Sequence, residues 1–362
     1  MNEDKLFTRD SLHRISGDAN AFERYRAFAW PSPKEDSWKY SSPAIFDYSK
    51  LPAFAPAKPG VDVEGCKVSF EPLRAAWVPN DKLEHVADAF SSTFLKIVVP
   101  KDSVARATLR FTPSASLAGA IQIDVGEGAA LDYAEDWTSK KAVFSGFKTW
   151  FNLARGAKLK HSALQRFAPG SFSLALKEYH LAAASTTNSV HAELGSSFSR
   201  LKIDQHFDGD GSASENKALF FGSNAEHFDI TTNAFHHARN TKSDIVAKGA
   251  LKGNSSAVYR GLIKIDKTGS GTDSYLQDRV LHLSKGVKSN SIPSLLIDNN
   301  DVHASHGATT SRLDENALFY LRSRGLPRSE AERLVVEGFL GGVAAGSRFK
   351  NDVAKLVAEK AV

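Results

Sequence analysis

From about residue 61 to 306 the chain is written in runs of about four to eight residues, rich in β-branched and aromatic side chains and separated by Gly, Asn, Asp and Ser. Many runs alternate apolar and polar positions, the period of a half-buried strand. Ala118–Val125, Leu201–Phe207, His227–Phe235, Ala257–Ile265 and Tyr275–Leu283 are the clearest. They recur at irregular intervals of roughly 10 to 20 residues, with no regular helical segments between them, which argues against a doubly wound α/β sheet. A sandwich, a large barrel or a β-solenoid remains. Turns rich in small polar residues that can stack from rung to rung, as at Thr231-Thr232, Ser255-Ser256 and Ser289-Asn290-Ser291, lean toward a solenoid, but no clean repeat period separates it from a sandwich.

The flanks read differently. Residues 1–60 predict short helices and an extended arm: Asp18 caps a helix carrying Phe22, Tyr25 and Ala29, which stops before Pro31 and Pro33. Residues 51–60, with three prolines, read as an extended and unpaired linker. After Gly307 the period becomes helical over 308–362. Ser311 and Asp314 have capping-box spacing and open a helix through Arg324 that Gly325 terminates. Pro327 starts a second helix with Ala331, Leu334, Val335, Gly338 and Phe339 on one stripe, interrupted by Gly341-Gly342 and Gly346. Phe349, Val353, Leu356 and Val357 mark a third.

Composition narrows the chemistry. With 362 residues, 42% hydrophobic and 24% charged, the chain has ample material for a core and no apolar run long enough to cross a bilayer. The first seven residues carry acids where a secretory signal has bases, so the expected compartment is the cytoplasm. A net charge of +5 spread over scattered bases offers no nucleic-acid footprint. Cys66 is the single cysteine, so an iron-sulfur centre would need ligands from elsewhere.

Two histidine groups have ligand chemistry. His303 and His306 stand near Asp298 and Asp301, a set that suits a divalent metal, although residues three apart on a strand face opposite ways. The plainer alternative is polar turn residues. His236-His237, with His227 and Glu226 nearby, read as ordinary β-surface residues. Gly209-Asp-Gly211 and Gly126-Glu-Gly128 read as tight turns, and Gly269-Ser-Gly-Thr272 lacks the Lys of a phosphate loop. No Gly-x-Ser-x-Gly elbow or His-Glu-x-x-His pair occurs. Leu318, Phe319, Tyr320 and Leu321 are four consecutive apolar positions, too many for one stripe, so part of that helix should face a partner.

The segments Ser243–Leu251, Thr272–Gln277, Ala304-Ser-His306-Gly307 and Leu318-Phe-Tyr-Leu-Arg-Ser-Arg324-Gly325 together resemble the SufB/SufD family of iron-sulfur cluster assembly proteins. Asp36-Ser-Trp38-Lys39-Tyr40 is similar to the family's Glu-x-Trp-Arg-Tyr element. The resemblance is dense from about 190 to 340 and thinner elsewhere. It implies a right-handed parallel β-helix core with helical parts at both ends, and decides the fold class for the solenoid. It also implies a non-enzymatic scaffold that pairs with a SufB-like subunit, docks a SufC-like ATPase through Leu318–Leu321, Arg324 and Gly325, and holds a transient iron-sulfur cluster at His306, shared with the partner. In this picture closure of the ATPase pair exposes His306. Many relatives have Cys before the Ser-His-Gly; Ala304 here, with no second cysteine that could accept sulfur, points to the SufD branch. Lys248-Gly249, Asp273 and Gln277 fall in its densest part and carry structural expectations: close rung packing at Gly249 and a side-chain ladder at Gln277. A stand-alone carbohydrate-active β-helix enzyme, needing a pair of acids in a cleft, and a homodimeric scaffold are the alternatives.

Overall fold

The structure is a computed structural model; it describes residues 6–361 except 16, 33, 44–45, 73–78 and 80. The expected helix break at Pro33 and the reading of the first five residues lie outside the described residues. The chain is mainly β, 47% strand, wound into a β-solenoid of about 8 turns with helices at both ends.

Among the described residues, eighteen strands make two nine-stranded sheets, which the chain visits alternately from β3 onward. One runs in the order β1 (Gly60–Glu64), β4 (Val104–Phe111), β6 (Ala130–Thr138), β8 (Lys158–Arg166), β10 (Thr186–Glu193), β12 (Ala213–Gly222), β14 (Lys242–Leu251), β16 (Asp273–His282), β18 (His303–Arg312). The other runs β2 (Lys67–Ser69), β3 (Ser91–Val99), β5 (Leu117–Val125), β7 (Phe144–Leu153), β9 (Phe172–Leu181), β11 (Phe198–Phe207), β13 (His227–His236), β15 (Ser256–Ile265), β17 (Lys288–Ile297). Apart from the first pair in each sheet, every ladder is parallel. All five runs singled out by alternation are strands.

Each rung turns on small residues. Gly128 and Gly211 have φ of +65° and +71°, a left-handed conformation that glycine adopts without a Cβ clash, so the two Gly-x-Gly motifs are the expected turns. Inward columns, such as Leu201, Ile203 and Phe207 of β11, fill one continuous interior core. Burial of each large side chain there is worth roughly 1.5–3 kcal/mol.

Two further cores coat the outside. Leu12, Phe22, Tyr25, Trp38 and Phe54 of the N-terminal part pack with Phe90 on Phe144, Phe172 and Phe198, which point out of β7, β9 and β11. After the short helix α1 (Arg9–Arg14), helix α2 (Ala19–Ala27) is capped by Asp18, which accepts from Ala21 N–H at 2.9 Å. It ends two residues before Ala29, which is exposed. On the other sheet, α5 (Arg328–Ala344) and α6 (Lys350–Ala361) bury Val336, Leu340, Val353 and Val357 against Leu164, Leu194, Leu219 and Phe221.

Several expectations need correction. Helix α3 (Lys82–Ala89) interrupts the β region, because Asp81 caps it and Leu83, Val86 and Ala87 bury a helical stripe in the N-terminal core. The proline-rich linker is not unpaired: Phe54 bridges Ser116 and is buried, since Pro52 and Pro56 leave the N–H of Ala55 free to reach the Ser116 carbonyl at 3.0 Å. Strand β18 carries the sheet past Gly307 to Arg312, so Ser311 is on a strand and Asp314 is the helix cap. Gly341-Gly342 stay helical within α5, whose neighbouring Leu340, Val343 and Ala344 are anchored in the outer core. Thr231-Thr232 and Ser289–Ser291 lie within strands rather than turns.

Candidate functional site

The two sheets end side by side, β17 on one and β18 on the other, and this end carries His306. Register sets where each residue points. His306 pairs with Leu276 and Ala304 with Ser274, both buried on β16, so they continue the inward columns of the solenoid. With no further rung over them among the described residues, His306 is exposed and Ala304 only partly buried against the core. His303 pairs with Asp273, whose side chain is exposed on the outside, so the two histidines face opposite ways, as their spacing predicts. Asp301 belongs to a turn: its carboxylate accepts from Ser270 Oγ at 2.6 Å and its carbonyl from Gly271 N–H at 2.7 Å. Asp298 is exposed, its N–H bonded to the Ile265 carbonyl at 2.9 Å. The four residues therefore do not converge on one ion.

Cys66 gives His306 no help. It follows β1, at the far end of both sheets from β18, and burial pushes its thiol pKa up. One rung inside the open end lies Asp278, fully buried, with a carboxyl pKa raised by that burial to about 6. It sits beside Ala308 in register, one inward position along from His306 and roughly 8 Å away on strand spacings. Nothing in the sequence marked it, since an Asp at an alternating position reads as solvent-facing.

Beyond β18, Asp314 caps α4 (Glu315–Ser323) by accepting from Asn316 N–H at 2.9 Å. The four apolar residues divide: Leu318 is 1% exposed and Leu321 half-buried, whereas Phe319 is 72% and Tyr320 59% exposed. Arg324 lies 5.3 Å over the Tyr320 ring, Gly325 ends the helix at φ +92°, and Arg328 of α5 ties back to Glu315 at 3.0 Å. The result is a fixed helix pair presenting two aromatic rings to solvent.

The Trp38 element is clamped from behind. Arg200 stacks 3.7 Å from the Trp38 ring and donates to the Ser37 carbonyl, while Arg260 donates to the Asp36 and Lys39 carbonyls. Trp38 Nε1 donates to Asp81 at 2.9 Å. Asp36 and Lys39 supply backbone oxygens to this clamp, so their side-chain identity does not set it.

The second histidine group is not a surface patch. His236 is fully buried, bonded to Thr241 Oγ1 at 2.8 Å and Ser243 Oγ at 3.1 Å, its pKa lowered by burial to about 3. His227 bonds Ser41 and Ser256, and Glu226 pairs with Lys360 at 2.8 Å. His227 points outward under the N-terminal segment, and His237 faces outward toward His206. Lys248 donates to the Phe339 carbonyl at 3.1 Å, holding α5 on the sheet, and Asp273 pairs with Lys242. Gln277 makes no ladder, since Val246 and Gly307 flank it in register; it donates to Tyr275 instead.

Comparison with known proteins agrees with this geometry. Residues 110–339 match the family described as SUF system FeS cluster assembly, SufBD core domain, a match that runs from the end of β4 into α5. The chain is 37% identical over 135 residues to the iron-sulfur cluster assembly protein SufD of Bacillus subtilis, covering 37% of this chain and 31% of that one. It is 35% identical over 164 residues to an iron-sulfur cluster assembly SufBD family protein of Mycobacterium tuberculosis, covering 43% and 41%. The corresponding match in Mycobacterium leprae is 34% over 162 residues, covering 42% and 41%. The matched segments thus span less than half the length of these relatives. A solenoid whose matched core runs from its first rungs to the helix packed on its flank places this chain in the SufBD family of iron-sulfur cluster assembly proteins.

Proposed function

We propose that this chain is a SufD-like scaffold subunit, non-enzymatic by itself and cytoplasmic, that pairs with a SufB-type subunit through the open end of the solenoid. The observation that carries the reading is the pair of free edges at that end. Strands β17 and β18 are ten residues each, and each has one neighbour only. A long bare edge invites pairing with another chain. Pro293, which has no N–H, interrupts the edge of β17, while β18 has neither proline nor acid and offers a complete ladder. Leu296 and Ile297 beside it are 54% and 41% exposed, apolar area that a partner would cover.

The cargo in this reading is a nascent iron-sulfur cluster. His306 offers one imidazole there, and soft iron-sulfur chemistry calls for thiolates, which the partner subunit would contribute. The rings of Phe319 and Tyr320 on α4, with Leu318, Leu321, Arg324 and Gly325 fixing them, form the docking face for a SufC-type ATPase.

The test is anaerobic co-purification of tagged wild type and His306→Ala from cells expressing SufB- and SufC-type proteins, followed by iron and acid-labile sulfide assay. The expected result is an intact complex in both cases with cluster content falling in the variant. Failure of wild type to recover either partner would overturn the reading.

A further inference from the structure

Three histidines stack on successive rungs along one outer corner of the solenoid, where the strands of the second sheet run into their turns. His180 of β9, His206 of β11 and His237 just after β13 have ring centroids 4.9 and 5.5 Å apart, with planes within 12° of parallel. Nδ1 of His206 faces Nε2 of His237 at 3.2 Å. The outer nitrogens of both rings turn to carboxylates. Nδ1 of His237 is 2.7 Å from Asp266, and Nε2 of His206 is 3.7 Å from Glu178.

His237, donating Nδ1–H to Asp266, presents a lone pair at Nε2, and Nδ1 of His206 faces it at 3.2 Å. A gap of this length holds either a proton on His206 Nδ1 or a cation bound by both nitrogens. Two nitrogens each about 2.1 Å from one ion are separated by about 3.0 Å at a right angle and about 3.4 Å at a tetrahedral angle. The observed gap falls between these values. The Asp208 carboxylate completes the group: ligand atoms of His206, Asp208 and His237 all lie within 4.8 Å of one another, the one such grouping among the described residues. His180 Nδ1 holds Asp208 Oδ2 at 3.0 Å, leaving Oδ1 for the ion, and its Nε2 is braced by Glu178 at 2.9 Å. The side chains are a quarter to two-fifths exposed, open to ions in solution.

We propose that His206, Asp208 and His237 form a binding site for a first-row divalent transition metal ion, with Asp266 and His180 as positioning residues. Two imidazoles and one carboxylate suit zinc, ferrous iron or cobalt, and disfavour magnesium and calcium, which take oxygen ligands. The site lies on the solenoid's flank, apart from His306 at its end, and stands whether or not the scaffold reading does.

The test is titration of the full chain, tag removed and chelator-treated, with cobalt(II), read by visible ligand-field absorption and by calorimetry, with zinc(II) as competitor. Wild type and His306→Ala should each bind one cobalt ion with the same affinity, displaced by zinc. His237→Ala should weaken binding at least about 100-fold, and Asp266→Asn by about 10- to 100-fold through loss of the tautomer lock. Circular dichroism checks folding, and Asp208→Asn, on an exposed turn, serves if the histidine variants misfold. A wild type that shows no cobalt bands, so that a proton alone bridges the two rings, would overturn the proposal. So would binding that survives in His206→Ala/His237→Ala or disappears in His306→Ala.

Discussion

Gly249 lies directly over the ring of Phe220: a Cβ at this glycine would stand 2.0 Å from Phe220 Cζ. The two are partners in register on β14 and β12. Phe220 cannot swing aside, being fully buried and stacked 5.6 Å from Phe228. Gly249→Ala should therefore destabilise the chain by about 1–3 kcal/mol, the usual cost of overpacking. Phe220→Leu should lose stability alone yet recover part of the loss when combined with Gly249→Ala. Urea unfolding of the four proteins gives the coupling; strict additivity would refute the close approach.

Asp229 is a buried anion between two buried cations. Its oxygens meet Arg200 at 3.1 Å and Arg260 at 2.8 Å, and these are the side chains that clamp the Trp38 segment. Removing the carboxylate leaves two guanidinium groups without their counter-ion. Asp229→Ala should cost about 3–5 kcal/mol in urea unfolding. It should also loosen residues 36–40, seen as faster trypsin cleavage after Lys39. Cleavage at the wild-type rate would mean that the carbonyl contacts alone hold the clamp.

How much of this was legible in sequence depends on distance along the chain. The strands announced themselves because alternation is local. The rung was hidden because its length varies: cross-rung hydrogen bonds span 27 residues at Asn188–Glu215, 29 at Asn233–Asp204 and 31 at Ser243–Ser274. A period that drifts leaves no repeat, so only the family resemblance chose the solenoid. The same drift concealed the metal-ligand group, since His206 and His237 are 31 apart, His180 and Asp208 28, and His237 and Asp266 29. His306 came into view through its Ser-His-Gly motif, and Phe319 and Tyr320 through four apolar neighbours in a row. Asp278 and His236 were opaque because burial of a polar residue depends on what closes over it.

Asp278 should give the chain a distinctive acid response. Burial holds its carboxyl at about 6 against 3.8 for the unfolded chain, the Ser291 hydroxyl offsetting part of that rise. Tyr259, whose phenol feels the Asp278 charge, is a titratable group beside it. A raised acid pKa makes the charged form a cost to folding, fully present above about pH 6 and gone below the unfolded value. Relative to Asp278→Asn, wild type should gain up to about 3 kcal/mol as pH falls through this window, two pKa units at about 1.4 kcal/mol each. Parallel stability curves for the two proteins between pH 7 and pH 4 would show that the carboxyl is not the titrating group.

The α4 surface separates folding from docking. Leu318 is buried, so Leu318→Ala should lower stability by about 2–5 kcal/mol, as core truncations do. Phe319 and Tyr320 project into solvent from the same turn, and substitution of exposed residues usually changes stability by under about 0.5 kcal/mol. Phe319→Ser/Tyr320→Ser should thus unfold at the wild-type urea midpoint. If the rings are the anchors for the ATPase, the double variant should lose most of its affinity for a SufC-type protein in a pull-down, because buried aromatic anchors dominate such interfaces. It should still pair with a SufB-type subunit if that contact lies on β17 and β18, as proposed. Loss of both partners together would place the two interfaces on one surface, and unchanged capture of the ATPase would move its docking face off α4.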